Sequence, residues 1–244
     1  MKKLITILLL LAIIPTLKAQ ITDTATWVVD QYLERLNYFN FPLDTTVYIQ
    51  STIVNQHFPN DTTIMKRWYA RPHQYRTEIW AADTLQYGAY GNGTDYFCVF
   101  NHANHHWDEV RQTNFYEAHQ AYDFRGPLYD WKGKAAEFQY MGIKEFQGIP
   151  VYQIRVQTPG IYDRDYFFEK STGLFFMFNE LTSTLGNEEL NPNRHVDWRA
   201  CHEFTPIGNM LFPTIESYQT HGSVVVIRSQ VQLIPYNYNI FNRD

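Results

Sequence analysis

The chain has 244 residues, 25 acidic against 20 basic side chains, a formal net charge of −5, and an aromatic content of 17%. That length holds one domain with a sizeable core. A mildly acidic surface without basic clusters argues against nucleic acid and anionic headgroups as partners.

Lys2 and Lys3 precede an apolar run, Leu4–Leu17, that ends on Leu17-Lys18-Ala19. This is the pattern of a secretory signal peptide, residues 1–19, with cleavage after Ala19. The run, at about 14 residues, is too short to span a bilayer comfortably. No later segment is long and apolar enough to cross a membrane, so the expectation is an exported, periplasmic chain over residues 20–244. In that oxidising location Cys98 and Cys201 have two readings, a disulfide or two buried thiols.

Trp27, Val28, Tyr32, Leu33, Leu36 and Phe39 recur at spacings of three and four, opposite Asp30, Gln31, Glu34 and Arg35. This predicts an amphipathic helix over Thr24–Phe39, ended by Asn40-Phe41-Pro42. Strands are expected at Thr46–Gln56, Thr62–Arg71, Gln74–Ala81, Thr84–Tyr90 and Asp95–Asn101, with a turn at Pro59-Asn60-Asp61. A short helical insert follows over Asn114–Trp131, interrupted by Gly126-Pro127. Strands resume at Ala136–Gly142, Val151–Gln157, Arg164–Lys170, Leu174–Thr182, Arg194–Thr205, Met210–Thr220 and Ser223–Pro235. Gln147-Gly148 and Thr172-Gly173 mark hairpin turns.

The chemistry-bearing clusters each have a plain structural reading. His102-Ala103-Asn104-His105-His106 resembles a spaced pair of metal ligands, but its setting is the tip of a hairpin, where alternation splits the imidazoles. Cys201-His202-Glu203 places a thiol beside an imidazole, yet neighbours on a strand face opposite ways. No constellation supplies a nucleophile, base and oxyanion site together, so no enzyme and no cofactor is expected. Asp23-Thr24, Asp44-Thr45, Asp61-Thr62 and Asp83-Thr84 resemble the O-glycosylation acceptor motif of exported bacterial proteins. Each equally suits a turn or an element start.

The run Asp123-Phe124-Arg125-Gly126-Pro127-Leu128-Tyr129-Asp130-Trp131-Lys132, then Tyr140–Gly148, Val151–Val156 and Tyr166–Leu174, and finally Leu211-Phe212-Pro213-Thr214-Ile215 carry a family resemblance. The chain resembles the LolA-like outer membrane lipoprotein-sorting and lipoprotein-carrier proteins of Bacteroidetes-type bacteria, within the LolA/LolB-like superfamily. The resemblance implies a mainly β (α+β) fold. Its single curled antiparallel sheet would form an incomplete β-barrel, a half-barrel covered by the N-terminal helix and the mid-chain insert. It also implies an apolar cavity for a lipid or lipoprotein acyl chain, and transport partners at the inner or outer membrane.

Period-two alternation places Tyr75 with Ile79 on one face, Ile64 with Trp68 on one face, and Tyr152, Ile154 and Val156 on one face. These seven are the candidate cavity residues. The expected function is a periplasmic carrier or chaperone that holds acyl chains. The alternative is a non-carrier envelope binding or scaffold module whose aromatic interior is solid core.

Overall fold

A computed structural model describes residues 24–70, 74–91, 97–101, 103–109, 126, 128–129, 131–133, 136–158, 162–180, 198–220 and 223–241. The expected signal peptide, residues 1–19, and the expected loop Thr184–Asn193 lie outside the described residues. So does most of the insert Asn114–Trp131, of which Leu128, Tyr129 and Trp131 form turns.

A helix, α1, spans residues 24–36. Asn37 ends it in the left-handed region at φ 56°, and Tyr38–Asn40 continue as a 3-10 turn. The helix therefore stops earlier than Phe39, because Asn accepts the left-handed conformation that a helix C-terminus uses. Ala25, Val28, Val29, Leu33 and Leu36 are buried, whereas Trp27 and Phe39 are about half exposed at 53% and 52%.

Among the described residues thirteen strands follow: β1 (Thr45–Asn55), β2 (Phe58–Ala70), β3 (Gln74–Ala81), β4 (Thr84–Gly91), β5 (Phe97–Asn101), β6 (His106–Glu109), β7 (Glu137–Phe146), β8 (Ile149–Thr158), β9 (Tyr162–Glu169), β10 (Phe175–Glu180), β11 (Trp198–Ile207), β12 (Met210–Thr220) and β13 (Ser223–Pro235). They form one antiparallel sheet in the order β6-β5-β4-β3-β2-β1-β13-β12-β11-β10-β9-β8-β7, not closed into a barrel. Apart from the β1–β13 neighbours, it is a meander of hairpins. Two of its turns have consecutive residues at positive φ, Ala82 and Asp83 at 47° and 58°, and Gln147 and Gly148 at 51° and 82°; Asp83 and Gly148 suit that region, whereas Ala82 and Gln147 adopt it against their preference. Consecutive left-handed residues are what a two-residue hairpin of matching twist requires.

One expected turn moves. Gln56 and His57 make the β1–β2 turn, with the His57 N–H donating to Asn55 Oδ1 at 2.9 Å. Pro59-Asn60-Asp61 lie inside β2, where the register jumps from Asn55↔Phe58 to Val54↔Thr62. The three residues are the excess of an irregularity in the ladder, which tolerates a proline that has no N–H to give.

The chain divides into two compact units. The first combines α1 through Arg35 with residues 131–189, hence β7–β10. The second combines residues 36–130 with 190–244, hence β1–β6 and β11–β13.

In the second unit the registers sort side chains onto two faces. A core face carries Val47, Ile49 and Ser51 of β1, Tyr69 of β2, Tyr75 and Thr77 of β3, Ala89 of β4, and Val225, Ile227 and Val231 of β13. All of these are buried. The opposite, open face carries Tyr48, Lys66, Trp68, Arg76 and Trp80, all partly exposed, while Gln230 and Gln232 are exposed. Thr46, Glu78 and Tyr90 are buried on the open face as well, but the apolar burial is concentrated on the core face, as in an antiparallel sheet with one wetter side.

Candidate functional site

The seven candidates separate by face and by unit. In the second unit, Tyr69↔Tyr75 and Met65↔Ile79 pair across β2 and β3, so Tyr75 and Ile79 stand on the core face. Trp68↔Arg76 and Ile64↔Trp80 pair in the same ladder, so Ile64 and Trp68 stand on the open face. Each pair shares a face as alternation expects, but the two pairs look in opposite directions.

In the first unit, Tyr152↔Phe168, Ile154↔Tyr166 and Val156↔Arg164 pair across β8 and β9, so Tyr152, Ile154 and Val156 share one face. α1 lies over it. The Trp27 ring meets Tyr152 edge-on at 6.2 Å, and Tyr32 reaches Phe168 at 5.4 Å and Phe175 at 6.4 Å. Ile154, Val156 and Phe168 are wholly buried there. Edge and tilted contacts at these separations are the favoured aromatic geometries.

The second unit also holds a cleft of about 460 Å³, lined by Thr205, Ile207, Thr214, Ser229, Val231 and Gln232 among others. It arises from a fork between strands. β12 pairs with β13 from Thr220↔Ser223 only as far as Ile215↔Arg228, whereas β13 continues along β1 to Thr45↔Pro235. Ser229 and Val231 belong both to the cleft and to the core face.

Two polar groupings sit on these strands without a motif to announce them. On the open face the Arg76 guanidinium lies 5.8, 5.9 and 5.7 Å from the rings of Trp68, Tyr90 and Trp107. It is paired with buried Glu78 at 2.6 Å, and Glu78 also accepts from the Trp80 indole at 3.0 Å. Burial, and then the nearby Glu78 carboxylate, pushes the Tyr48 phenol up. On the core face, Arg67 Nη2 donates to Ser51 Oγ at 3.2 Å, and Ser51 Oγ lies 2.8 Å from Ser229 Oγ.

Against solved structures the chain is similar to a LolA superfamily protein from Nitrosomonas europaea, with TM-score 0.57, 12% identity, and 90% of this chain and 97% of that one covered. It is similar to a DUF1329 family protein from Desulfovibrio piger, with TM-score 0.56, 14% identity, and 88% and 94% covered. An outer membrane lipoprotein-sorting protein domain from Vibrio parahaemolyticus gives TM-score 0.55, 10% identity, and 89% and 97% covered. The fold is LolA-like. No protein-family model matches the chain, and no curated protein matches it.

On this LolA-like scaffold the other clusters take ordinary places. His105 is exposed in a turn at φ 52° and His106 is exposed at the start of β6, while His102 lies outside the described residues. Among the described residues no group of three His, Cys, Asp or Glu side chains is placed to hold a metal ion. Cys98 and Cys201 are both free and buried. Cys201 Sγ bonds the Glu203 carbonyl at 3.5 Å while His202 Nε2 bonds Ser217 Oγ at 2.6 Å, so thiol and imidazole have separate partners. Burial, with the Glu216 carboxylate second, pushes the Cys201 thiol up to about 12, which keeps it protonated and a poor nucleophile. Among the described residues no helix is long and apolar enough to cross a membrane.

Proposed function

We propose that this is a periplasmic carrier or chaperone that shelters an acyl chain of a lipid or lipoprotein on the core face of its second unit. The observation that carries the reading is the fork between β12 and β13. A cleft of about 460 Å³ is within the size range of small-molecule sites, and it borders a sheet face of buried apolar side chains. Each methylene transferred to such a face contributes about 0.8 kcal/mol, so a long chain binds without a specific polar contact. The LolA-like fold is in keeping with this reading, as is the leader-like start of the sequence.

The reading keeps Tyr75 and Ile79 as ligand contacts and assigns Ile64 and Trp68 to the opposite face. Tyr152, Ile154 and Val156 form the corresponding apolar face of the first unit, where α1 already covers them. That packing also favours a second reading, an envelope binding module whose interior is solid core.

Lipid extraction of the purified full chain, followed by titration with a fluorescent fatty acid, separates the two. The carrier reading expects co-purifying lipid and saturable uptake. Ile79→Asn, half-buried on the core face, should weaken uptake by about tenfold, the loss of roughly one apolar contact. Trp68→Ala, on the open face, should leave it unchanged. No lipid and no uptake would leave the solid-core module standing.

A further inference from the structure

By register the core face of the second unit carries two arginines: Arg199, level with Tyr218 and Val225, is paired with Glu216, whereas Arg67 has no such partner among the described residues. Arg67 stands opposite Ile49 in the β1–β2 ladder and opposite Thr77 in the β2–β3 ladder, with Met65 and Tyr69 on its own strand. Three other arginines on the sheet each meet a carboxylate: Arg76 with Glu78, Arg155 with Asp165, and Arg199 with Glu216. Among the described residues no carboxylate lies within ion-pair distance of Arg67. Its Nη2 bonds Ser51, and its Nε is buried with no acceptor among the described residues.

A guanidinium has five N–H donors in a planar fork and no way to lose its charge. Here one donor is used. The hydroxyl pair adds another. Ser51 and Ser229 carry two O–H protons between them, and their mutual bond uses one. Ser51 receives the Arg67 N–H on a lone pair, so one hydroxyl proton remains to be given. The cluster is thus a set of donors with a positive charge, short of acceptors, at the margin of an apolar face. Its far member, Ser229, lines the cleft at the β12–β13 fork, whose charged lining groups are the Glu203 carboxylate and the Arg228 guanidinium. A carboxylate or phosphate oxygen is the group that satisfies such a fork through short, charge-assisted bonds.

We infer that Arg67, with the Ser51–Ser229 hydroxyl pair, binds the anionic head of an acyl amphiphile whose chain lies along Tyr75 and Ile79. The inference rests on the carrier reading above and narrows it, from acyl chains in general to chains that end in an oxyanion. A neutral ester or glyceride would leave the guanidinium unsatisfied and so bind less well.

The test uses the full chain with 11-(dansylamino)undecanoic acid and its methyl ester, which share a chain and differ in charge. The acid should bind about ten- to a hundredfold tighter than the ester, the range for hydrogen bonds to a charged group. Arg67→Gln should bring the acid to the level of the ester and leave the ester unchanged, and Arg67→Lys should restore part of the difference. Ser51→Ala should give a smaller loss, again for the acid alone. Lysophosphatidate displacing the probe places a phosphate head on the same fork. Displacement by millimolar inorganic phosphate or acetate, which have no chain, would reassign the site to free oxyanions and overturn the inference. Equal binding of acid and ester would overturn it while sparing the carrier reading. Parallel weakening of both probes by Arg67→Gln would make Arg67 structural, and no binding of either probe would remove the carrier reading and the inference together.

Discussion

Cys201 shows what burial does to a single residue. On β11 it is 6% exposed, beside the Glu216 carboxylate that Arg199 holds with bonds of 3.0 and 2.8 Å. The thiol is raised from 9.0 to about 12 in the folded chain. An acid whose folded value lies above its unfolded value holds its proton longer when folded, so its contribution is complete below the unfolded value of 9.0 and is lost as pH climbs toward 12. Denaturant titrations from pH 7 to 10.5 should therefore show stability falling above about pH 9, and Cys201→Ala should flatten that decline. Arg67, by contrast, was invisible at this scale. In Ile64-Met65-Lys66-Arg67-Trp68-Tyr69 each parity carries one cation between two apolar residues, so alternation gives no sign of which charge faces the core. Only the pairing of β2 with β1 and β3 decides it.

Among elements, what is local was legible and what is distant was not. The hairpin turns were readable because Gly148 and Asp83 are residue types that accept the left-handed backbone, and β3, β12 and β13 run between the residues that alternation marks. The separation of Ile64 and Trp68 from Tyr75 and Ile79 required the register of β2 on β3. Gly88 is another distant effect. It reads as a weak point in β4, yet a Cβ there would lie 2.3 Å from the Trp107 indole of β6, which packs across it onto Tyr90 with ring centroids 4.9 Å apart. The missing side chain is the space that the indole occupies. Gly88→Ala should cost about 1–3 kcal/mol in urea unfolding, as overpacking does, and should shift tryptophan fluorescence. In a Trp107→Ala background the same change should be close to neutral, since the clash has gone.

At the scale of the molecule, alternation and turn residues made an initial helix and a long antiparallel meander legible, and the family resemblance carried by stretches such as Tyr166–Leu174 supplied the LolA-like fold. The two compact units were not legible, because they interleave: each is made of two segments separated in sequence, residues 1–35 with 131–189 and residues 36–130 with 190–244. The ladder that makes this so joins Thr45 to Pro235 and Asn55 to Val225. Contacts between residues so far apart in sequence close large loops before they are rewarded, which slows folding. Stopped-flow refolding of the full chain should give a main phase slower than on the order of 10 s⁻¹, in the range of all-β domains. Val231→Ala should speed unfolding or slow that phase, whereas a change at edge strand β6 should leave the folding rate alone.

The place of β13 between β1 and β12 bears on quality control during synthesis. β13 leaves the ribosome after the other described strands, yet it sits inside the sheet order and not at an edge. A polypeptide released before Ser223 would lack the join and present two unpaired strand edges, one rich in Val47, Ile49 and Ile53. Such edges recruit further chains. Truncated products should then be lost to aggregation or proteolysis and not persist as partly folded chains, so the fold itself checks that translation reached β13.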